Sequence, residues 1–170
     1  MFRKKAKKAA LPAAVAPAPV RPAQADPVFR ALAESVSPAD AAGMNGLSLA
    51  FFGDAVWELL VRTQVLIHEK GRPQALHEKT IGYVNAAFQA RAGEALFPLL
   101  TDDERAAFLR GRNASPGHTP RNQKTADYRK ATGLEALFGW LYLTGQTDRL
   151  TALFARILEE EKLHEEDQNP

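Results

Sequence analysis

Cysteine is absent from this chain of 170 residues. Its absence excludes disulfide bonds, thiolate metal sites and a cysteine nucleophile, and it is compatible with a reducing cytosol. Uninterrupted apolar runs are also short, and none approaches the roughly 20 residues that a membrane-spanning helix needs. With 45% hydrophobic residues, the chain is long enough for one well-buried core and too short for two. We therefore expect one soluble, cytoplasmic domain.

Positive charge is concentrated near the amino terminus. Residues 1–30 contain seven Lys or Arg and one Asp, a net charge of +6, so the rest of the chain carries −4 of the total of +2. Residues 1–26 are rich in Lys and Ala and are interrupted by four prolines, which predicts a disordered basic arm. Three interpretations of this arm remain open: contact with RNA phosphates, a solvated tail, or a secretory signal peptide in which Ala23-Gln24-Ala25 resembles a cleavage site.

Downstream of the arm the apolar spacing is helical, and no long stretch alternates with the period of a strand. Ser48 is a candidate N-cap of the first long helix, and Thr101 with Glu104 forms a capping box. Predicted helices cover residues 48–70, 73–100, 101–110, 125–143 and 147–160, with a loop containing Gly and Pro over 111–122. The predicted fold class is all-α, with one domain over 27–160 and a frayed, charged tail over 161–170.

Three acids interrupt apolar helical segments. Asp54 and Glu58 are four residues apart and share one helix face, and Glu135 lies among apolar neighbours in a later segment. An ionised carboxylate removed from water needs a cation, hydrogen-bond donors or a metal to compensate its charge. Arg62 and Arg129 are candidate ion-pair partners. The alternative is that the acids form one functional site.

Several spaced motifs resemble a known family. Residues 49–56 resemble the signature helix of the ribonuclease III catalytic domain, and EALFG at 135–139 resembles its second acidic helix. The resemblance narrows to Mini-ribonuclease III, a short bacterial subfamily without a separate double-stranded-RNA-binding domain, through NGLSLAFFGDAVWE at 45–58, RGRNA at 110–114, PRN at 120–122 and YR at 128–129. It covers about residues 44–158 and implies the all-α ribonuclease III catalytic fold and a helical homodimer.

The resemblance implies that Asp54 and Glu135 are the catalytic acids and hold Mg²⁺, a cation that prefers oxygen ligands and supports phosphodiester hydrolysis. Two further acids of full-length ribonuclease III fall on Ala50 and Thr132 here. The subfamily shows the same loss, so we expect weaker metal binding rather than loss of activity. Glu58 is a candidate third ligand. Alternatively, it forms a salt bridge one helical turn away.

Basic and amide side chains cluster around the predicted loop at 111–122, where Gly and Pro permit close approach of a ligand. Duplex RNA hides its major-groove base edges, so contacts to phosphates and 2′-hydroxyls are expected. The candidate RNA-binding residues are Arg110, Arg112, Asn113, Arg121 and Lys124. A solvated surface without a partner is the alternative for these charges.

The predicted function is a Mg²⁺-dependent, homodimeric endoribonuclease that cleaves double-stranded RNA and leaves 5′-phosphate and 3′-hydroxyl ends. The resemblance points to maturation of the 5′ and 3′ ends of precursor 23S ribosomal RNA, with a ribosomal protein as a candidate partner that presents the stem. Two alternatives remain open. One is a catalytically silent ribonuclease III fold that binds RNA as a ribosome-associated scaffold, and the other is a helical interaction domain that does not bind RNA.

Overall fold

The computed structural model describes residues 36–114 and 125–168. This part of the chain contains α-helices and one short 3₁₀ helix but no β-strand, which confirms the all-α prediction. The basic arm predicted for residues 1–26 lies outside the described residues, as do Arg121 and Lys124. The predicted domain limits at 27 and 160 stay a prediction.

Seven α-helices follow one another in the described part of the chain. In order they are α1 (Pro38–Gly43), α2 (Gly46–His68), α3 (Pro73–Val84), α4 (Ala86–Leu96), the 3₁₀ helix (Phe97–Leu99), α5 (Asp102–Asn113), α6 (Thr125–Leu143) and α7 (Thr147–Gln168). Helix α1 has no counterpart among the predicted helices, because its 6 residues are too few to show an apolar period. None of the described helices has both the length and the apolarity needed to cross a membrane.

Local hydrogen bonds set the ends of the long helices. The Asn45 side chain accepts a hydrogen bond from the Leu47 N–H at 2.8 Å, so α2 starts just before the predicted Ser48. The capping box predicted from Thr101 and Glu104 is present at the start of α5. After α6, a glycine at position 145 adopts φ +72°, the left-handed conformation that ends many helices.

The single helix predicted over residues 73–100 is wrong, because the chain breaks at Asn85. The Asn85 side chain accepts from the Phe88 N–H at 2.9 Å and donates to the Gly82 carbonyl at 2.8 Å. It therefore satisfies free backbone groups of both α3 and α4. Its extended backbone, with ψ 150°, turns the chain between the two helices.

Two helices continue beyond their predicted ends, α5 to Asn113 and α7 to Gln168. The helix α5 continues through Gly111, which was predicted to begin the loop, and this glycine lies in a packing contact with α6. A methyl group on Gly111 would lie 2.5 Å from the Thr132 carbonyl oxygen of α6. The glycine therefore lets α5 approach α6 closely, and the predicted loop begins later than expected.

Helix α6 is the centre of the fold, with α2, α4 and α5 packed around it. Five of its apolar side chains have no exposed surface: Leu134, Ala136, Leu137, Phe138 and Leu141. Trp57 of α2 is equally buried, meets the Phe138 ring edge-on with centroids 5.2 Å apart, and donates its indole N–H to the Tyr83 carbonyl at 3.1 Å. This core fixes α2 against α6, the two helices that carry the predicted catalytic acids.

A carboxylate pair as candidate active site

Helices α2 and α6 cross with their backbones in direct contact. A methyl group on Gly53 would overlap the Glu135 carbonyl oxygen, and one on Gly139 would overlap the Leu49 carbonyl oxygen. Because any Cβ would force the helices apart, this crossing requires glycine at both positions. Asp54 follows Gly53 in the chain, so the crossing brings Asp54 close enough to Glu135 for its charge to act on that carboxyl group.

Both carboxyl groups have pKa values above their ordinary range, and the Asp54 charge is one of the causes at Glu135. Burial and the nearby Glu58 charge raise the pKa of Asp54. Burial and the Asp54 charge raise the pKa of Glu135 further, from 4.5 to about 8. Paired carboxyl groups with raised pKa values are stabilised in their ionised form by a cation placed between them.

Neither carboxyl group has a cationic partner among the residues that the structure describes. Arg62, one candidate partner, forms its salt bridge with Glu58 instead. Arg129, the other candidate, is exposed and pairs with neither acid. The ion-pair interpretation of Asp54 and Glu135 therefore has no support within residues 36–114 and 125–168.

Glu58 shows the salt bridge that was its alternative role, with Arg62 Nη2 2.5 Å from its Oε1. The side chains of Glu58 and Arg62 are 43% and 56% exposed, so this ion pair contributes little stability. The Glu58 charge also raises the pKa of Asp54, which places the two acids near each other. Its role as a third metal ligand stays a prediction.

The acids at this crossing fit a hydrated divalent cation better than an enclosed metal cage. In the described part of the chain, no group of three or more His, Cys, Asp or Glu side chains is arranged to hold a metal. At the positions of the two missing acids, Ala50 is 4% exposed and Thr132 is 5% exposed, with its hydroxyl donating to the Tyr128 carbonyl at 2.9 Å. Mg²⁺ usually keeps several waters, so it accepts a site with few carboxylates.

A small cleft of about 160 Å³ adjoins Glu135 between α4 and α6, large enough for several waters. Gln89 of α4, only 2% exposed, lines this cleft, and its amide opposes the rise in the Glu135 pKa. Its Nε2 makes no hydrogen bond of normal geometry within the described residues. Gln89 was not among the predicted site residues. Its only signal is a polar residue at a buried position between Phe88 and Ala90.

Three of the predicted RNA-binding residues lie at the carboxyl end of α5. Arg110 donates to the Ala42 carbonyl, which links α5 to α1 and gives this side chain a structural contact. Arg112 is half-buried with its Nε 3.3 Å from the Asn113 Oδ1, and Asn113 is exposed. The close approach of Gly111 to α6 sets this end of α5 beside the helical turn that leads to Glu135.

Comparisons with known proteins show which family this chain resembles. The family model described as "Ribonuclease III domain" matches residues 47–146. The protein named Mini-ribonuclease 3 from Thermoanaerobacter sp. is 40% identical over 63% of this chain and 75% of its own length. The protein of the same name from Gloeobacter violaceus is 48% identical over 61% of this chain and 74% of its own length. A crystal structure of a protein from Fusobacterium nucleatum has TM-score 0.63 and 28% identity, covering 69% of this chain and 93% of that one.

These matches assign the chain, an all-α domain with paired acids at a glycine-mediated helix crossing, to a class of ribonucleases. The chain is a member of the ribonuclease III family, within its Mini-ribonuclease 3 group. It is an endoribonuclease, which disfavours the alternative of an interaction domain that does not bind RNA.

Proposed function

We propose that this endoribonuclease cleaves double-stranded RNA with a divalent cation, Mg²⁺, held by Asp54 and Glu135. One observation carries the proposal: two acids of neighbouring helices meet at the α2–α6 crossing with no cationic partner among the described residues. Packing that requires Gly53 and Gly139 maintains this arrangement. Neighbouring acids whose pKa values are raised in this way are typical of functional sites.

The exposed Asp54 and the half-buried Glu135 have different proposed tasks. Asp54 is exposed and would contact the substrate side of the cation, whereas Glu135 lines the cleft and would hold the cation to the central helix. A divalent cation held by Asp54 and Glu135 would stabilise charge on the attacking and leaving oxygens of the phosphodiester and would activate water. Hydrolysis of this kind leaves 5′-phosphate and 3′-hydroxyl ends.

RNA contact is proposed for the end of α5. Arg112 and Asn113 belong to the last turn of α5, whose Gly111 packs against the turn of α6 before Glu135, and this position supports a role in binding phosphates that flank the cut. Arg121 and Lys124 lie outside the described residues and remain candidate RNA-binding residues. Arg110 is the weaker candidate, because its guanidinium already contacts the Ala42 carbonyl.

A homodimer is proposed from an apolar stripe on α2. Phe51 is 85% exposed and Leu59 is 56% exposed, and they lie on the same face with Ala55 between them. Large side chains left exposed together mark interaction surfaces. A second copy on this stripe would place two active sites near one duplex, one for each strand.

The cellular role is proposed from the family resemblance. It is maturation of precursor 23S ribosomal RNA in the cytoplasm, where the two ends of the precursor pair into a stem. A ribosomal protein that presents the stem is a candidate partner. These assignments rest on the resemblance, and the acid pair supports the chemistry alone.

The test is cleavage of a long RNA duplex and of its matching single strand, with Mg²⁺ and with chelator. We expect cutting of the duplex alone, abolished by chelator and by Asp54→Asn. Asp103→Asn, an exposed acid in the first turn of α5, is the matched control and should cut like the wild type. Duplex binding without cutting by the wild type would instead support the silent scaffold. That alternative arises because Ala50 and Thr132, both buried, occupy the positions of the two missing acids.

A further inference from the structure

Gln89 carries a buried amide that the fold does not need. The side chain is 2% exposed and lies in the first turns of α4, between two buried apolar residues. Its Nε2 is shielded from solvent yet makes no hydrogen bond of normal geometry within the described residues. A buried donor without a good acceptor reduces stability, so an amide at this position points to a role outside folding.

The Glu135 carboxylate lies near this amide. Both residues line the small cleft between α4 and α6, and the amide interacts with the carboxylate. Tyr128 and Thr132 also line the cleft, and the Thr132 hydroxyl donates to the Tyr128 carbonyl. Among the described residues that line the cleft, Glu135 is the only charged one, so its carboxylate is the strongest acceptor available to the Gln89 amide.

The backbone that carries Gln89 is firmly fixed. Asn85 caps the start of α4 through the Phe88 N–H, and the Phe88 ring packs edge-on against Tyr83 with centroids 5.0 Å apart. Glu135, by contrast, has a flexible side chain and no ion pair in the described part of the chain. A donor on a fixed helix restricts the orientations that such a carboxylate adopts.

We propose that Gln89 is a positioning residue of the active site, which holds the Glu135 carboxylate in the orientation that binds the divalent cation. This inference rests on the proposed metal site of Asp54 and Glu135 and adds to it a residue from a third helix. Donors that orient ligating carboxylates affect metal affinity strongly although they do not touch the metal.

The test compares Mn²⁺ binding to the full-length protein without RNA, measured by electron paramagnetic resonance, in the wild type and in Gln89→Met. Methionine has a similar length and flexibility but no donor. We expect Mn²⁺ affinity to fall by about 10- to 100-fold. The melting temperature of the metal-free protein should stay the same or rise, because an unpaired buried amide is removed. A purely structural role for Gln89 predicts a lower melting temperature instead.

Thr80→Val is the matched control for removing a buried polar group. Thr80 is 4% exposed and donates to the Leu76 carbonyl at 2.8 Å within α3, and it does not line the cleft. This variant should lose some thermal stability and bind Mn²⁺ like the wild type. In cleavage assays, Gln89→Met should need more Mg²⁺ for half-maximal rate and recover most of its rate at saturating Mg²⁺.

A second measurement does not depend on the folding of a Gln89 variant. The side-chain amide resonances of Gln89 in the wild-type protein should shift on addition of Mg²⁺, and should not shift in Glu135→Gln. Unchanged Mn²⁺ affinity in Gln89→Met, or an amide signal insensitive to Mg²⁺, would overturn the role of Gln89 alone. A wild-type protein that binds no Mn²⁺ and cuts no duplex would overturn the proposed function as well.

Discussion

Glu104 and Glu135 show that a neighbouring cation decides whether the pKa of an acid shielded from solvent is lowered or raised. Burial acts to raise the pKa of Glu104, but hydrogen bonds from Arg149 and from Thr101, together with the Arg149 charge, outweigh it and lower that pKa. The Arg149 Nε lies 2.8 Å from the Glu104 Oε1. Glu135 has no such cation in the described part of the chain, and its pKa is raised to about 8. Glu104 is therefore a structural acid, whereas Glu135 keeps its capacity to bind a cation.

The raised pKa of Glu135 makes stability depend on pH. Its folded-state pKa of about 8 lies above the ordinary value of 4.5, so the folded state retains a proton that the unfolded state releases. The resulting stabilisation is complete below 4.5 and is lost as pH rises through about 8. We predict that metal-free wild type loses stability relative to Glu135→Gln across this window.

Urea unfolding with chelator present measures this difference at about pH 5 and about pH 9. The stability gap between wild type and Glu135→Gln should shift in favour of the variant at the higher pH. Asp103→Asn is the control for removing one negative charge from an exposed position. A gap that is the same at both pH values contradicts the raised pKa.

The acids were accessible to sequence reasoning, but Gln89 was not. Asp54 and Glu135 stand out because a charge in an apolar helix needs compensation, and a family motif surrounds each of them. An uncharged glutamine beside Phe88 gives a much weaker signal. Its relevance depends on how closely α4 approaches α6, which no local pattern encodes.

At the scale of helices, the α2–α6 crossing ties the site to the fold. A methyl group on Gly53 would overlap the Glu135 carbonyl oxygen, and neither backbone can yield without moving its helix. We predict that Gly53→Ala destabilises the protein by about 1–3 kcal/mol or more, as overpacking does, and displaces Asp54 from Glu135. Chemical denaturation measures the stability and duplex cleavage measures the displacement.

Gly82→Ala is the matched control for Gly53→Ala. Gly82 lies within α3, and a methyl group there would meet nothing within 4 Å. Alanine at this helical position should therefore stabilise the protein by up to about 1 kcal/mol and leave cleavage unchanged. Equal effects of the two substitutions would mean that the crossing is less tight than the structure shows.

The helices themselves were largely predictable, since their apolar period and the capping box of Thr101 and Glu104 are local signals. The break between α3 and α4 was not. Asn85 stabilises the ends of both helices with one side chain, and the apolar stripe continues across it from Tyr83 to Phe88. The apolar spacing therefore predicted one continuous helix, because it does not reveal a turn that depends on side-chain hydrogen bonds.

At the scale of the whole molecule, the exposed stripe on α2 predicts self-association. We expect the wild type to sediment at twice its chain mass of 18.6 kDa, and Phe51→Asp to sediment as a monomer. The Asp carboxylate would be buried in the dimer interface without a cationic partner, which disfavours association. Leu99→Asp, which alters a 40% exposed leucine away from this stripe, should remain dimeric. A dimeric Phe51→Asp would show that the interface lies elsewhere.

The central claim is that Asp54 and Glu135 act together as one site, and single-turnover cleavage of an RNA duplex tests it most directly. The rates of Asp54→Asn, of Glu135→Gln and of the double variant are compared with wild type at saturating protein and fixed Mg²⁺. Residues that act as a unit are strongly non-additive, so each single variant should lose nearly all activity and the double variant should be no slower than either. Wild-type rates in a single variant, or independent and multiplicative losses in the double variant, would contradict the claim.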